Sequence, residues 1–466
     1  MAFALPLLVF VVATAGLALL VEPFVSWYYQ WAWWSYILAA DALNRRLSGH
    51  SLLRDEPRRF WWLAGVSVAL WTFFEALNFR LGNWYYVMDH PAPAVSWTRG
   101  VVAFATVLPA LYETEALLRH LGILRTVPVT PWRWSRGWTL AYVLLGVACF
   151  TLPRAWPELF FPLTWGSFLF LLEPWNRRHA ATSRLRELER GEAGPSLRWL
   201  LAGLVCGVLW ETWNYWARVK WMYTVPGFES LKVFEMPAAG FLGFPPFALE
   251  CVAVVAFLEA LGRRLRERSP RGRPVVVAAA TALAGAGTAV VFTAADRITV
   301  DSFYAPVAHL GVLPAPDREV LATAGLESPE RLVRALGHEA DLEDWSERTG
   351  LPVGTLREHR EQVALVLHRG LGDGRAQELA ALGIHSREDL ARWRPEMLAA
   401  ALGASGARGP RRFLERRARV WLEGLAAPDA GQAPEVRPPT TRRDTTREAP
   451  ALREPSSTVK DVQNTS

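Results

Sequence analysis

Nine apolar runs, most of them near the length that a helix needs to cross a hydrocarbon layer, fill the chain from Ala4 to Ala294. They are Ala4 to Val21, then 27–43, 60–79, 99–118, 137–153, 158–174, 198–216, 239–261 and 274–294. Lipid offers no partner for backbone N–H and C=O groups, so a spanning segment must bond them internally. The expected class is therefore all-α, a polytopic helical membrane protein. The first run lacks the basic flank of a signal peptide and has a counterpart later in the chain, which keeps it as a span. Composition agrees: 51% hydrophobic and 12% aromatic residues, with 23 Trp, exceed what a soluble domain carries.

The net charge of +6 arises largely from arginine clusters between the runs. Arg45 to Arg59, Arg119 to Arg136, Arg177 to Arg198 and Arg263 to Arg273 fall on one side if every run spans. The positive-inside bias makes that side cytoplasmic, together with the amino terminus of this multi-pass cell-membrane protein. The bilayer is thus the first partner. Cys149, Cys206 and Cys251 lie in apolar runs without metal spacing and read as small buried hydrophobes. No metal or cofactor is implied.

The membrane part reads as a duplication. Trp33, Ser35, Asp41, Asn44, Arg45 and Arg46 recur 132 positions later as Trp165, Ser167, Glu173, Asn176, Arg177 and Arg178. Glu75 and Asn78 recur 136 later as Glu211 and Asn214, while Trp84, Tyr86, Pro109 and Glu113 recur 137 later as Trp221, Tyr223, Pro246 and Glu250. This gives two four-helix repeats, over 1–130 and 131–270, then a ninth helix and connector over 271–316. An even number of helices per repeat puts both copies the same way up, with their interface as the natural site.

Ionisable groups in a run fit for lipid are expensive and need a partner, a cavity or a role. Glu75 with Asn78, and Glu211 with Asn214, share helix faces three residues apart. Glu113 and Glu250 each follow a proline by four residues. Four carboxylates are expected to converge as proton carriers or ligands, with Asn78 and Asn214 orienting them. The alternative is polar glue between helices. Trp84 and Trp221, with Tyr86 and Tyr223, read as an outer aromatic belt or as substrate contacts. Asp41 and Glu173 read as anchors with local salt bridges beside the paired arginines. The outer loop from Phe228 to Pro237, with Glu229 and Glu235, is placed to cap a cavity. A carboxyl group in low dielectric exchanges protons nearer neutrality than one in water, which suits chemistry on a hydrophobic lipid or isoprenoid substrate. No HExxH, GxSxG, Walker or paired-cysteine signature supports other chemistries.

The order acid, Trp-x-aromatic, then proline shortly before Glu, repeated in two helical modules, resembles the integral-membrane lycopene cyclases. That resemblance implies two all-helical modules whose acids protonate a polyene. The chain departs from the family's Pro-x-Glu-Glu or Pro-x-Glu-Asp, having Pro109-Ala-Leu-Tyr-Glu113 and Pro246-Phe-Ala-Leu-Glu250.

Residues 317–425 carry a separate repeat. Ala324-Gly325-Leu326-x-Ser328-x-Glu330-x-Leu332 recurs 58 positions later as Leu382-Gly383-Ile384-x-Ser386-x-Glu388-x-Leu390, each serine placed to cap a helix. Gly370-Leu371-Gly372-Asp373-Gly374 has the form of a hairpin turn between helices. These residues resemble the tandem helix-hairpin-helix family known as domain of unknown function 4332, which implies a small all-α fold. Gly370 and Gly372 match the turn that offers N–H groups to phosphate, but Asp373 and the sparse basic surroundings argue against nucleic acid and for a protein partner. Residues 426–466 read as a disordered tail.

Three function classes stay open: a membrane enzyme acting on a hydrophobic substrate, a proton-coupled transporter or channel, and a membrane anchor presenting the helix-hairpin-helix module.

Overall fold

The computed structural model describes residues 3–88, 92–225, 232–296, 299–301, 305–407 and 410–425. Local sequence explains the helix ends. Pro57 opens the helix Pro57–Leu81, where a missing N–H is harmless, and Gly82 closes it with a φ of +65° that any side chain would strain. Ser135 caps Arg136–Ala155 by accepting from Trp138 N. Among the described residues, five segments are long and apolar enough to cross a bilayer: Pro57–Leu81, Pro93–His120, Arg136–Ala155, Ala238–Arg268 and Arg273–Asp296. Leu140, Leu144, Val275, Leu283 and Val290 on two of them are exposed. In water such a surface would be an aggregation liability, whereas lipid is its matching solvent.

The other four expected spans differ. Ala4–Ala18 is only 15 residues long. Tyr28–Ser48 and Gly194–Trp216 have the length but are not among the five. The run 158–174 breaks into Pro157–Phe160, a 3-10 stretch Phe161–Gly166 and Ser167–His179, because Pro157 and Pro162 start new turns rather than continue a helix.

One hydrogen-bond pattern occurs at both basic helix ends. Asp41 accepts from Ser51 Oγ at 2.6 and 2.8 Å and from Leu53 N at 3.0 Å. At positions 132 higher, Glu173 accepts from Ser183 Oγ at 2.8 Å and from Leu185 N at 3.3 Å. Each serine also caps the short helix that follows, taking Arg54 N and Arg186 N. This corrects the expectation of local salt bridges for Asp41 and Glu173: the neighbouring Arg45 and Arg177 pair instead with Asp55 and Glu189.

The Glu75 and Glu211 helices each run into a short strand, Trp84–Met88 (β1) and Lys220–Tyr223 (β2). These pair antiparallel, Trp84 opposite Tyr223 and Tyr86 opposite Trp221. Lys232–Val233 (β3) and Met236–Pro237 (β4) form a small separate pair, and Val300–Asp301 (β5) joins β1 in parallel after the Arg273–Asp296 helix. An outer belt was expected here. The residues are instead a buried ladder, with Trp84 and Trp221 5% and 8% exposed.

Eight helices from Ala315–Thr323 to Arg411–Gly424 follow, built on a leucine core that includes Leu321, Leu356, Leu379 and Leu390 and closed by the fully buried Trp421. Ser328 and Ser386 cap their helices, accepting from Arg331 N and Asp389 N. Residues Met1–Ala426 form one compact unit, so this part packs directly on the membrane part. Glu229 and the tail 426–466 lie outside the described residues.

Candidate functional site

Side chains alternate along a strand, and that alternation builds the site. Trp84, Tyr86, Trp221 and Tyr223 share one face of the ladder. Tyr85, Val87 and Met222 share the other, where they cluster with Val420 of the last helix. The ladder is thus a plate with the membrane core beneath and the carboxy-terminal helices above.

Asn78 and Asn214 set the plate on its helices. Asn78 Nδ2 donates to Trp84 O at 2.8 Å, and its Oδ1 accepts from Asn83 N at 2.8 Å. Asn214 likewise donates to Trp221 O and accepts from Trp221 N, both at 3.0 Å. The carboxamides were expected to orient the glutamates. Their bonds go instead to strand backbone, and the glutamates are held by what the strands carry.

Glu75, 3% exposed, accepts from Trp71 Nε1 at 3.0 Å, from Trp84 Nε1 at 3.1 Å and from Tyr86 Oη at 2.5 Å. Glu211, fully buried, accepts from Tyr223 Oη at 2.8 Å. Burial first, and then the adjacent glutamate charge, pushes both tyrosine hydroxyls well above their ordinary range, so they remain donors. Beneath the plate lies a partly open aromatic cleft with roughly 510 Å³ of empty space, the solvent at its mouth included. Trp71, Trp84, Trp210, Trp221, Tyr86 and Tyr223 line it, with Trp165, Phe244, Phe247 and Met236 completing the wall. The Trp71 and Trp210 rings lie 4.9 Å apart, and the Trp210 and Trp221 rings meet edge-on at 6.2 Å. A second cleft of about 850 Å³ shares Trp71, Tyr86, Trp210 and Trp221 and reaches Arg99 and Asp296.

The expected convergence of four carboxylates is corrected. Glu113 accepts from Asn44 Nδ2 at 2.7 Å, close to the basic end of Tyr28–Ser48. Glu250 accepts from Phe168 N at 2.7 Å. Among the described residues, neither shares a hydrogen-bond partner with Glu75 or Glu211. Helical spacing defines which face a residue occupies but not its depth relative to other helices. Tyr86 and Tyr223 are the residues that the sequence reading left in a belt. Their alternation with Trp84 and Trp221 was the available signal.

Above the plate, Gly370 O accepts from Tyr85 Oη at 2.9 Å and from Trp421 Nε1 at 3.0 Å. Asp373 accepts from Gly311 N at 2.8 Å and from Gln377 Nε2 at 2.8 Å. The Gly370 and Gly372 turn, expected as an outward interaction surface, is therefore folded against this chain's own ladder. Arg412 donates to Phe79 O at 2.6 Å, and Arg416 donates to Leu81 O and Gly82 O at the end of the Glu75 helix. Glu235, 2% exposed, joins loop, strand and module: Lys220 Nζ lies at 3.0 Å and Arg369 Nε at 3.0 Å. Burial alone would raise its pKa, but the two cations outweigh that and hold the carboxyl at about 2.

Among the described residues, no group of three or more His, Cys, Asp or Glu side chains is placed to hold a metal ion, and all three cysteines are free and buried. No family model matches the chain, and no curated protein or solved structure matches it.

Proposed function

We propose that this chain is a membrane-embedded enzyme that transfers protons to or from a hydrophobic, isoprenoid-like substrate held in the tryptophan-lined cleft. One observation carries the reading: Tyr86 and Tyr223 line the same cleft, and each is hydrogen-bonded to a buried glutamate behind it. When the carboxyl is protonated, the tyrosine gives its hydroxyl proton to the substrate and takes the carboxyl proton in its place, so no charge stays on the phenol. The tryptophan faces suit a substrate that becomes cationic on protonation, because their ring quadrupoles attract positive charge. Tyr86 and Tyr223 would touch the substrate, with Glu75 and Glu211 supplying protons from behind.

The membrane part is read as two copies of one four-helix module. The Asp41 and Glu173 caps, 132 positions apart, support this, as does a ladder in which Trp84 meets Tyr223 while Tyr86 meets Trp221. On the positive-inside reading, the ladder and the helix-hairpin-helix module both lie on the non-cytoplasmic side.

The test compares lipids and pigments extracted from cells with and without the gene. A hydrophobic species that accumulates in the deletion and is consumed on restoration supports the enzyme. Identical extracts combined with proton flux in liposomes would favour a transporter.

A further inference from the structure

Glu75 and Glu211 stand 136 positions apart beneath one ladder, yet their oxygens are used differently. Both Glu75 oxygens accept from the Trp84 indole, at 3.1 and 3.2 Å. On the other side the Tyr223 bond is kept, but Glu211 Oε2 accepts from nothing among the described residues, and the Trp221 indole N–H, beside the Tyr223 hydroxyl, makes no well-formed hydrogen bond among them. Glu211 is fully buried and Trp221 is 8% exposed, lining both clefts. Part of the difference lies one turn earlier. Trp71 precedes Glu75 by four residues and donates to it, whereas Gly207 precedes Glu211 by four and cedes its space to Phe244, whose ring a Cβ at Gly207 would meet at 2.2 Å. Leaving a buried acceptor and a buried donor unsatisfied is costly, so a site that keeps both is matched to a group that satisfies both.

We infer that Glu211 and Trp221 bind the hydroxyl group of a hydrophobic alcohol whose apolar chain lies against the tryptophan faces. The inference rests on the cleft being the substrate site and adds what the substrate carries at one end. A hydroxyl donates and accepts through one oxygen. Its O–H donates to Glu211 Oε2, and its oxygen accepts from Trp221 Nε1. A hydrocarbon does neither, and an ether lacks the donor. A quaternary ammonium suits the aromatic walls but offers the indole no acceptor. A carboxylate has no O–H to donate to Glu211 Oε2.

The test uses the full chain in lipid nanodiscs and saturable quenching of tryptophan fluorescence by 12-bromododecan-1-ol, its methyl ether and 1-bromododecane. The alcohol is expected to bind about tenfold more tightly than the ether. Trp221→Phe, which keeps the ring and loses the N–H, removes that preference, and Trp138→Phe, at an exposed position lining neither cleft, retains it. Equal binding of alcohol and ether to the unaltered protein, a comparison that needs no variant, overturns the hydroxyl site and leaves the cleft reading standing. A preference that persists in Trp221→Phe also overturns it. Absence of saturable quenching by all three probes sinks both this inference and the proposed function.

Discussion

Gly203 and Phe244 meet backbone to backbone: a Cβ at Gly203 would lie 2.5 Å from the Phe244 carbonyl oxygen. Together with Gly207 against the Phe244 ring, this contact lets the Glu211 helix approach Phe244–Arg268 closely enough to close one wall of the cleft. Gly203→Ala and Gly207→Ala are each expected to cost about 1–3 kcal/mol by overpacking. Gly65→Ala, at a helical glycine with open space around it, is expected to be neutral or slightly stabilising. Thermal unfolding in detergent checks all three, and equal melting temperatures would refute the close approach.

The module is docked through Gly370, whose φ of +69° and contact with Tyr85 leave no room for a side chain: a Cβ would lie 2.2 Å from the tyrosine oxygen. Gly370→Ala is expected to release the carboxy-terminal helices from the ladder and open them to limited proteolysis. Gly383→Ala, with a φ of +78° in open space, carries only the backbone strain of about 1 kcal/mol and should leave the digestion pattern unchanged.

Glu235 makes docking pH-dependent. Its folded pKa of about 2 lies below the ordinary 4.5, so its contribution is fully present above pH 4.5 and is lost as pH falls from there towards 2. That shift corresponds to about 3 kcal/mol at neutral pH. Glu235→Gln should lower the unfolding midpoint at pH 7 and flatten the profile between pH 4.5 and 2. A profile as steep as that of the unaltered protein would place the titrating group elsewhere.

The side of the membrane is open to a direct check. Because Arg412 and Arg416 hold the loop that leaves the Glu75 helix, module and ladder lie on one side. A reporter active only outside the cytoplasm, fused after Ser466, is expected to be active. A reporter active only inside would reverse the proposed topology.

Five of the nine expected spans were legible in the sequence, because apolar length is a property of a single segment. The spacing of Glu75 with Asn78 and of Glu211 with Asn214 placed each pair on one helix face. The ladder was not legible: β1 and β2 are five and four residues long and pair across more than 130 positions, so nothing local separates Trp84-x-Tyr86 from an interfacial belt. Docking of the module escaped notice for a similar reason, since Arg412 and Arg416 bind backbone carbonyl groups, which have no residue signature. Glu113 and Glu250 looked equivalent to the site glutamates because proline spacing says nothing of which neighbour a helix meets.

The central claim is that Tyr223 and Glu211 pass protons to a hydrophobic substrate. Cells producing the chain are grown in deuterated water, and carbon-bound deuterium in the consumed lipid's product is measured by mass spectrometry. The unaltered protein is expected to add a non-exchangeable deuteron per turnover. Tyr223→Phe and Glu211→Gln, at unchanged membrane abundance, are expected to reduce that signal at least a hundredfold, the size of one general acid–base contribution. Full incorporation by both variants would contradict the account.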